Sequence, residues 1–486
     1  MLLANTFLSK NQLLIDGNWC AASDGQTFEV KNPATGKLLI QVADATPEDA
    51  ARAVVVAARA QKEWAEKTAI ERSSLLRKWF ELVMKQQEAL AQLLTLEQGK
   101  PIVEARSEIA YGASYIEWFA EEAKRVYGDV IPSLKNDQRI LVIKQPVGVV
   151  ATITPWNFPN AMLARKLAPA LAAGCAVVAK PAAETPLSAL ALGQLALDAG
   201  IPAGVINILP STRAQAIGKI FTSQSQVRKI SFTGSTAVGK QLITQCAGDV
   251  KRMSLELGGN APFLVFEDAD LDMAVEGAIA SKFRNSGQTC VCANRFYVHQ
   301  AVYTAFAEKL AIAMQKLVIG NGMTDGVTMG PLISPTARNK VQGILDDAIA
   351  RGARISYQAQ LSSSLPATQF FPPTLLVDVP SDARLTCEEI FGPIVALIPF
   401  ADDKQAIELA NASEHGLAAY AYTRDAKRIK QLSDQIQSGM LGINTGLLSN
   451  AMAPFGGIKQ SGWGREGSLY GLDDYLDIKY LCESFS

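Results

Sequence analysis

Val149-Val150-Ala151-Thr152-Ile153 is the first of four short apolar runs whose spacing decides the fold class. The other three are Ala176-Val177-Val178-Ala179, Val205-Ile206-Asn207-Ile208 and Lys229-Ile230-Ser231-Phe232, with helical patterning between them. β-Branched runs that alternate with helices are typical of parallel βαβ units. The sequence therefore predicts an α/β protein with a parallel sheet at its centre.

The segments on both sides extend this prediction. Residues 47–123 show helical patterning, interrupted at Lys67-Thr68 and at Gly99-Lys100-Pro101, which predicts a layer of helices. Downstream, a strand at residues 262–266 and a helix at residues 270–284 begin a second α/β pattern. We therefore expect a second domain after the first sheet.

Composition and charge limit the function classes. Apolar residues make up 48% of the 486, enough for a large core. Lys plus Arg total 46 against 47 for Asp plus Glu, and no basic block occurs, which argues against a nucleic-acid surface and a membrane anchor. We expect small molecules as partners.

The seven cysteines follow neither a disulfide nor a metal-binding spacing. Their number is odd, no signal-peptide pattern precedes them, and Cys290-x-Cys292 has no partner pair nearby. We predict no metal site and a reducing, cytoplasmic location.

Gly287-Gln288-Thr289-Cys290 carries the first indication of chemistry. A cysteine in a glycine-led loop after an amphipathic helix suits nucleophilic attack, although most cysteines are small buried hydrophobes. The chain has only two histidines, His299 at a strand end and His415 in an apparent polar turn. The base that serves this thiol is therefore expected to be another residue type.

Two motifs offer groups that could work with the thiol. Leu255-Glu256-Leu257 places a carboxyl group between apolar neighbours, where burial would raise its pKa and make it a base near neutral pH. The alternative is a surface glutamate on a strand. Asn157 lies in a rigid loop between two prolines, where it can act as an oxyanion donor or merely as a turn residue.

Other motifs indicate a nucleotide site. Gly234 and Ser235 lie between a strand and a helix, where free N–H groups favour a phosphate, but Gly-x-Gly-x-x-Gly is absent and a plain turn with an N-cap is the alternative. Lys180 ends another strand and is either a ligand contact or a solvated lysine. Glu389 and Phe391 precede a turn and either contact a ligand or serve only local structure.

Six motifs, taken in order, resemble the aldehyde dehydrogenase superfamily over residues 12–482. They are Pro-Trp-Asn-Phe-Pro at 155–159, Phe-Thr-Gly-Ser at 232–235, Glu-Leu-Gly-Gly at 256–259, Gly-Gln-Thr-Cys at 287–290, Glu-Ile-Phe-Gly-Pro at 389–393 and Pro-Phe-Gly-Gly at 454–457. The resemblance implies that Cys290 is the nucleophile, Glu256 the general base, and Asn157 with the Cys290 backbone N–H the oxyanion hole. It implies a thiohemiacetal, hydride transfer to a nicotinamide, and hydrolysis of a thioester to a free acid.

The resemblance also implies a cofactor site and a division into domains. The cofactor residues would be Trp156, Lys180, Ala183, Gly234, Ser235, Leu257, Glu389 and Phe391. We expect a Rossmann-like parallel-sheet NAD(P)-binding domain at residues 1–127 and 148–257, an α/β catalytic domain at 258–444, and a small β oligomerisation flap at 128–147 and 465–486. A homo-oligomer, dimer or tetramer, would form through the flap.

The substrate is expected to carry a carboxylate, because the sequence around Cys290 resembles the succinate-semialdehyde dehydrogenase branch. That resemblance implies that Arg165, Arg284 and Ser449 bind the carboxylate, and guanidinium groups suit this role. Without it, Arg284 is a cation at a helix end and Arg165 a helix residue with its charge at the surface. Glutarate semialdehyde is the nearest alternative substrate, and a non-catalytic binding member the alternative from another class.

Two further expectations concern the cofactor and regulation. NAD-preferring relatives often carry a glutamate three residues after the lysine, where this chain has Ala183, so we expect NADP, with NAD accepted. Glu184, the residue after Ala183, could still bring a carboxylate to this position. Cys292 either packs in the core or closes a reversible disulfide with Cys290 under oxidation.

Overall fold

The computed structural model describes residues 5–485 and contains both helices and strands. Its helices are α1 (Asn5–Leu8), α2 (Pro47–Glu66), α3 (Ala69–Lys85), α4 (Gln87–Gln98), α5 (Ile102–Glu122), α6 (Pro159–Ala173), α7 (Pro186–Asp198), α8 (Ala214–Ser223), α9 (Thr236–Cys246), α10 (Leu271–Lys282), α11 (Tyr303–Met314), α12 (Pro335–Ala350), α13 (Arg384–Cys387), α14 (Asp403–Asn411), α15 (Ala426–Gln435) and α16 (Tyr470–Asp473). Its strands are β1 (Leu13–Ile15), β2 (Asn18–Cys20), β3 (Thr27–Lys31), β4 (Leu38–Ala43), β5 (Asp129–Ile131), β6 (Gln138–Pro146), β7 (Val149–Ile153), β8 (Ala176–Lys180), β9 (Ile206–Ile208), β10 (Val227–Thr233), β11 (Arg252–Glu256), β12 (Ala261–Val265), β13 (Ala293–His299), β14 (Arg354–Gln358), β15 (Thr374–Val377), β16 (Ile394–Phe400), β17 (His415–Gly416), β18 (Ala418–Tyr422), β19 (Met440–Ile443), β20 (Ile458–Lys459), β21 (Gly462–Trp463) and β22 (Leu476–Ser484).

An eight-stranded sheet has the order β2-β1-β9-β8-β7-β10-β11-β21. Strands β9, β8, β7, β10 and β11 are parallel, and helices connect them. Counted from β7, their order is that of a doubly wound dinucleotide-binding sheet, with the switch point between β7 and β10. The predicted Rossmann-like α/β fold is confirmed. Ligands bind such sheets beyond the carboxyl ends of the strands at the switch point, where Asn157 follows β7 and Gly234 follows β10.

Helices α2 to α5 form the predicted helical layer. Thr46 and Thr68 each cap a helix through a capping box, and Gly99 ends α4 in the left-handed region at φ 96°. One break was not predicted: α3 ends at Lys85 and α4 begins at Gln87. No glycine or proline marks this break in the sequence.

A seven-stranded sheet, in the order β14-β15-β16-β13-β12-β18-β19, forms the second α/β unit. The strand predicted at residues 262–266 is β12, shifted by one residue, and the helix predicted at 270–284 is the shorter α10. Cys290 lies in the loop between α10 and β13. His415, predicted in a turn, instead begins the short strand β17, because its backbone pairs with Lys459 of β20.

A three-stranded antiparallel sheet, β22-β6-β5, lies within the two ranges expected to form the flap. Strand β22 pairs with β6 from Leu476 opposite Pro146 to Ser484 opposite Gln138. Strand β21 joins the first sheet antiparallel to β11, with Gly462 opposite Glu256. The C-terminal part of the chain therefore reaches the predicted general base.

Among residues 5–485, no helix has the length and apolar character needed to cross a bilayer.

Candidate active site

The loop before Cys290 has an unusual backbone. Asn285 and Ser286 have φ angles of 50° and 57°, in the left-handed region that residues other than glycine rarely adopt. Gly287 follows at φ 78°, and a Cβ on it would meet the Gly392 carbonyl oxygen at 2.4 Å, so only glycine fits. This turn reverses the chain after α10. The Cys290 side chain then packs against Phe158 and Met162 at the start of α6.

Burial raises the pKa of the Cys290 thiol to about 12. Arg165 and Arg284 act in the opposite direction, while the carboxyl groups of Glu389 and Glu256 raise the pKa further. The thiolate, which is the nucleophilic form, is therefore scarce at neutral pH in this state of the protein. Cys290 needs either a base or an additional positive charge to become reactive.

Asn157 follows β7 in the loop that leads into α6. Its side-chain Nδ2 donates to the Gln288 carbonyl oxygen at 3.0 Å, two residues before Cys290. A primary amide has two N–H donors, so this contact leaves one N–H free. The interpretation of Asn157 as merely a turn residue is therefore insufficient, because its amide is buried against the nucleophile loop.

Glu256 is buried at the end of β11, so the alternative of a surface glutamate is wrong. Its Oε2 has no hydrogen-bond partner among the residues of the described chain. Burial, followed by repulsion from Glu466, raises its pKa well above the usual value, and the cations Arg165, Lys166 and Arg465 only partly oppose this. A carboxyl group with a raised pKa is suited to general-base catalysis near neutral pH.

Glu466 was not predicted as a site residue. Its Oε2 accepts from Arg165 Nε at 2.7 Å and also from Arg165 Nη2, and its Oε1 accepts from Lys166 Nζ at 2.6 Å. Burial by itself would raise the pKa of Glu466, but the two cations outweigh it and lower the pKa to about 2. Glu466 is therefore a permanent negative charge that acts on Glu256.

Replacing Glu466 by glutamine tests this coupling. We expect Glu466→Gln to lower stability by about 3 kcal/mol, because two buried cations lose their partner. It should also lower the pKa of Glu256, since a repelling charge is removed. If kcat needs ionised Glu256, the acidic limb of the kcat–pH profile moves to lower pH. Profiles of both proteins, with urea unfolding as the stability measure, check the prediction, and an unmoved limb contradicts it.

The predicted catalytic residues line one cavity of about 300 Å³. Its walls include Trp156, Asn157, Gly234, Ser235, Glu256, Leu257, Cys290, Glu389 and Phe391. The structure thus brings the thiol, the carboxyl group and the amide together with most of the predicted cofactor residues. Lys180 and Ala183 do not line this cavity.

A nicotinamide dinucleotide fits the residues around this cavity. Helix α9 begins at its wall, and Ser235 is both a wall residue and the N-cap, with Oγ accepting from Val238 N at 3.4 Å. The rings of Trp156 and Phe391 meet edge to face at 5.6 Å, and Glu389 is a half-buried acceptor whose pKa desolvation raises to about 7. The helix N-terminus suits phosphate groups, and the carboxyl group suits ribose hydroxyls.

Within residues 5–485, no group of three or more His, Cys, Asp and Glu side chains could hold a metal ion.

Lys180 ends β8, beside β7 in the first sheet. It is buried, so the alternative of a solvated loop lysine is wrong, and its Nζ donates only to the Pro181 carbonyl oxygen at 3.2 Å among the described residues. Burial lowers its pKa, and the carboxyl groups of Glu184 and Asp44 oppose this effect. Ala183 is partly exposed in the same loop and adds no charge.

The three predicted substrate residues are in different situations. Arg165 is buried, so the alternative of a charge at the surface is wrong, and its guanidinium is held by Glu466 and the Tyr111 hydroxyl. Its role in binding the substrate carboxylate stays a prediction. Arg284 has no carboxylate within 4.0 Å in the described chain, and its guanidinium carbon lies 5.3 Å from the centre of the Phe158 ring. Ser449 lines a separate cavity beside Tyr111. Tyr111, which contacts Arg165 and also lines the cavity of Ser449, was not predicted.

Cys292 is buried, and its Sγ contacts the carbonyl oxygens of Lys282 at 3.6 Å and Ala293 at 3.5 Å. Unlike Cys290, it does not line the active-site cavity. Packing is its role in this conformation. A disulfide with Cys290 requires the loop to rearrange and stays a prediction.

A thiol, a buried carboxyl group and an amide at the switch point of a doubly wound sheet define the class of thiol-dependent oxidoreductases. The chain belongs to the aldehyde dehydrogenase family, whose family model matches residues 19–481. The motif resemblance and the enzyme class are confirmed.

Individual relatives cover the whole chain. Glutarate-semialdehyde dehydrogenase of Pseudomonas putida is 55% identical over 484 residues, which are 100% of each chain. The NADP(+) succinate-semialdehyde dehydrogenase GabD of Escherichia coli is 55% identical over 482 residues, 99% of each chain. The crystal structure of succinate-semialdehyde dehydrogenase from Burkholderia pseudomallei matches with a TM-score of 0.96 and 54% identity over 98% of each chain.

Proposed function

We propose that this protein oxidises succinate semialdehyde to succinate with Cys290 as its nucleophile. The Cys290 thiol loses its proton to solvent, the thiolate attacks the aldehyde carbon, and the carbonyl oxygen becomes an oxyanion that accepts from Asn157 Nδ2 and the Cys290 backbone N–H. A nicotinamide cofactor, held by residues such as Trp156, Ser235 and Glu389, would supply the acceptor for the hydride that this carbon gives up. Glu256 then takes a proton from water, the water oxygen attacks the thioester, and the carbon–sulfur bond breaks to release the acid.

The observation that carries the substrate assignment is the environment of Arg284. This guanidinium has no carboxylate partner within the described chain, and it lies against Phe158, which packs on Cys290. A free arginine close to the nucleophile selects an aldehyde whose other end is a carboxylate. The names of the relatives agree with this substrate class.

Glutarate semialdehyde is the second candidate, because a relative of equal identity carries that name. The two substrates differ by one methylene, which a pocket distinguishes by only about 1 to 3 kcal/mol. Succinate semialdehyde remains our first choice.

The test is kcat/KM for succinate semialdehyde, glutarate semialdehyde and uncharged butanal, each with NADP and NAD. We expect Arg284→Ala to lower kcat/KM for the two carboxylated aldehydes about 10- to 100-fold, because a charged hydrogen bond is lost, and to leave butanal nearly unchanged. Lys316→Ala is the matched control. Lys316 and Arg284 line the same cavity, which is separate from the cavity that contains Cys290. Equal losses on all three aldehydes would contradict the assignment.

NADP is the proposed cofactor, with NAD accepted. Ala183 places no carboxylate where a glutamate would repel the 2′-phosphate, and the E. coli relative is named for NADP. The eight predicted cofactor residues, Lys180 and Ala183 included, remain part of this proposal.

The remaining expectations are also proposals. A homo-oligomer through the three-stranded sheet is supported by its exposed apolar side chains, such as Val130, Ile131, Ile478 and Tyr480. A cytoplasmic location is supported by the seven cysteines, all free in the described chain. The domain limits at residues 127, 148, 257, 444 and 465 are likewise proposed, and the change of sheet from β6 to β7 and from β11 to β12 supports them.

A further inference from the structure

We propose that Lys100 and Asn285 are positioning residues that orient the amide of Asn157 for oxyanion binding. The proposal rests on the proposed function, because it assigns Asn157 to the oxyanion hole. Both residues donate to the same atom, the backbone carbonyl oxygen of Asn157. Lys100 Nζ lies 2.8 Å from it and Asn285 Nδ2 lies 3.0 Å from it. Neither residue lines the active-site cavity.

Asn285 connects the oxyanion loop to the nucleophile loop. Its Nδ2 also donates at 3.2 Å to the Gln288 carbonyl oxygen, the same oxygen that accepts from Asn157 Nδ2. The Asn157 backbone and side chain are thus both tied to the segment that carries Cys290. With one N–H of Asn157 fixed on Gln288, the direction of its second N–H is determined.

Buried contacts hold Asn285 in its left-handed conformation. Its backbone N donates to Glu104 Oε2 at 2.8 Å, and its Oδ1 accepts from Gln98 Nε2 at 2.9 Å. A left-handed backbone is unfavourable for most residues, and asparagine tolerates it better than most. The end of α4 and the start of α5 therefore fix the turn from which Asn285 reaches Asn157.

Lys100 fixes the other side of Asn157. Its ammonium group is buried, donates to Glu108 Oε2 at 2.6 Å, and lies 3.8 Å from the centre of the Phe158 ring. Glu108 Oε1 accepts from the backbone N–H groups of Asn160 and Ala161 in the first turn of α6. Lys100 and Glu108 thus hold residue 157 and the helix that follows it as one unit.

The test is a double-mutant cycle between Asn285→Gly and Asn157→Ala. Glycine keeps the left-handed backbone and removes the side-chain amide, both the donor to Asn157 and the acceptor from Gln98. We expect Asn285→Gly to lower kcat/KM about 10- to 100-fold in the wild-type background and less than about 2-fold in Asn157→Ala, because the loss acts through the amide of Asn157. Alkylation of Cys290 by iodoacetamide, which forms no oxyanion, should stay within about 2-fold of wild type.

Ser286→Gly is the matched control. Ser286 is equally left-handed and buried, but its Oγ donates to the Gly330 carbonyl oxygen at 2.8 Å rather than toward Asn157. If Asn285→Gly does not fold, Asn285→Asp serves in its place, because aspartate keeps the shape and replaces the donor by an acceptor.

The outcomes separate the two proposals. Equal losses in both backgrounds, a matching fall in the alkylation rate, or an equal loss in Ser286→Gly would overturn the positioning role alone. An Asn157→Ala enzyme with unchanged kcat/KM would overturn the oxyanion assignment and the positioning role with it.

Discussion

Replacing Cys290 by alanine is expected to lower kcat/KM at least about 10⁴-fold, because Cys290 is the only thiol among the described residues that line the cavity. Cys292→Ala is the matched control, since the second thiol is two residues away, buried, and outside the cavity wall. It should keep most of the activity. The measurement is cofactor reduction over a series of aldehyde concentrations, with cofactor binding followed by tryptophan fluorescence.

The pH dependence of alkylation gives a second check on Cys290. Because burial raises the pKa of its thiol to about 12, the neutral thiol predominates and the thiolate fraction grows with pH. Without cofactor, we expect the rate of reaction with iodoacetamide to rise about tenfold per pH unit between pH 7 and 9. A rate that levels off near neutral pH would show that the thiol is already ionised, and would contradict the description of its environment.

The sequence predicted those parts of the site that lie within short motifs. Asn157 follows a strand and Glu256 ends one, and parallel strands bring their carboxyl ends to one edge of a sheet. Cys290 instead precedes β13, and the glycine-led loop around it was the recognisable pattern. The four apolar runs were sufficient for the first sheet because buried parallel strands are nearly continuous in apolar residues.

The parts that were missed depend on contacts across long stretches of chain. Glu466 lies in Gly-Arg-Glu-Gly, a polar segment with no sign of burial, yet it meets Arg165 about 300 positions earlier in the chain. Neither the burial of Arg165 nor its carboxylate partner could be identified from the sequence. Lys100 marked only a helix break, and its ammonium group is buried because Glu108 neutralises it. Such pairings follow from packing between elements, and local pattern carries no information about them.

Replacing Glu256 by glutamine is the second large-effect prediction. We expect kcat to fall about 10²- to 10⁴-fold, because glutamine cannot accept the proton of the attacking water. Attack on the aldehyde and hydride transfer do not need that water, so one cofactor per active site should still be reduced in a rapid burst before turnover stalls. Stopped-flow absorbance at 340 nm measures the burst, and mass spectrometry should detect an acyl group on Cys290.

Glu97→Gln is the matched control for this substitution. Glu97 is also fully buried, and burial raises its pKa to about 7, but it accepts from Leu187 N and Ser188 N at the start of α7 and lies outside the cavity wall. Loss of turnover in Glu256→Gln alone would therefore reflect position and not the removal of a buried carboxyl group. If the burst disappears and alkylation of Cys290 slows in parallel, Glu256 serves the thiol before it serves water. The effect of pH has the same sign whether Glu256 serves the thiol or water. Because the pKa of Glu256 is raised, activity falls as the medium becomes more acidic and the carboxylate is protonated.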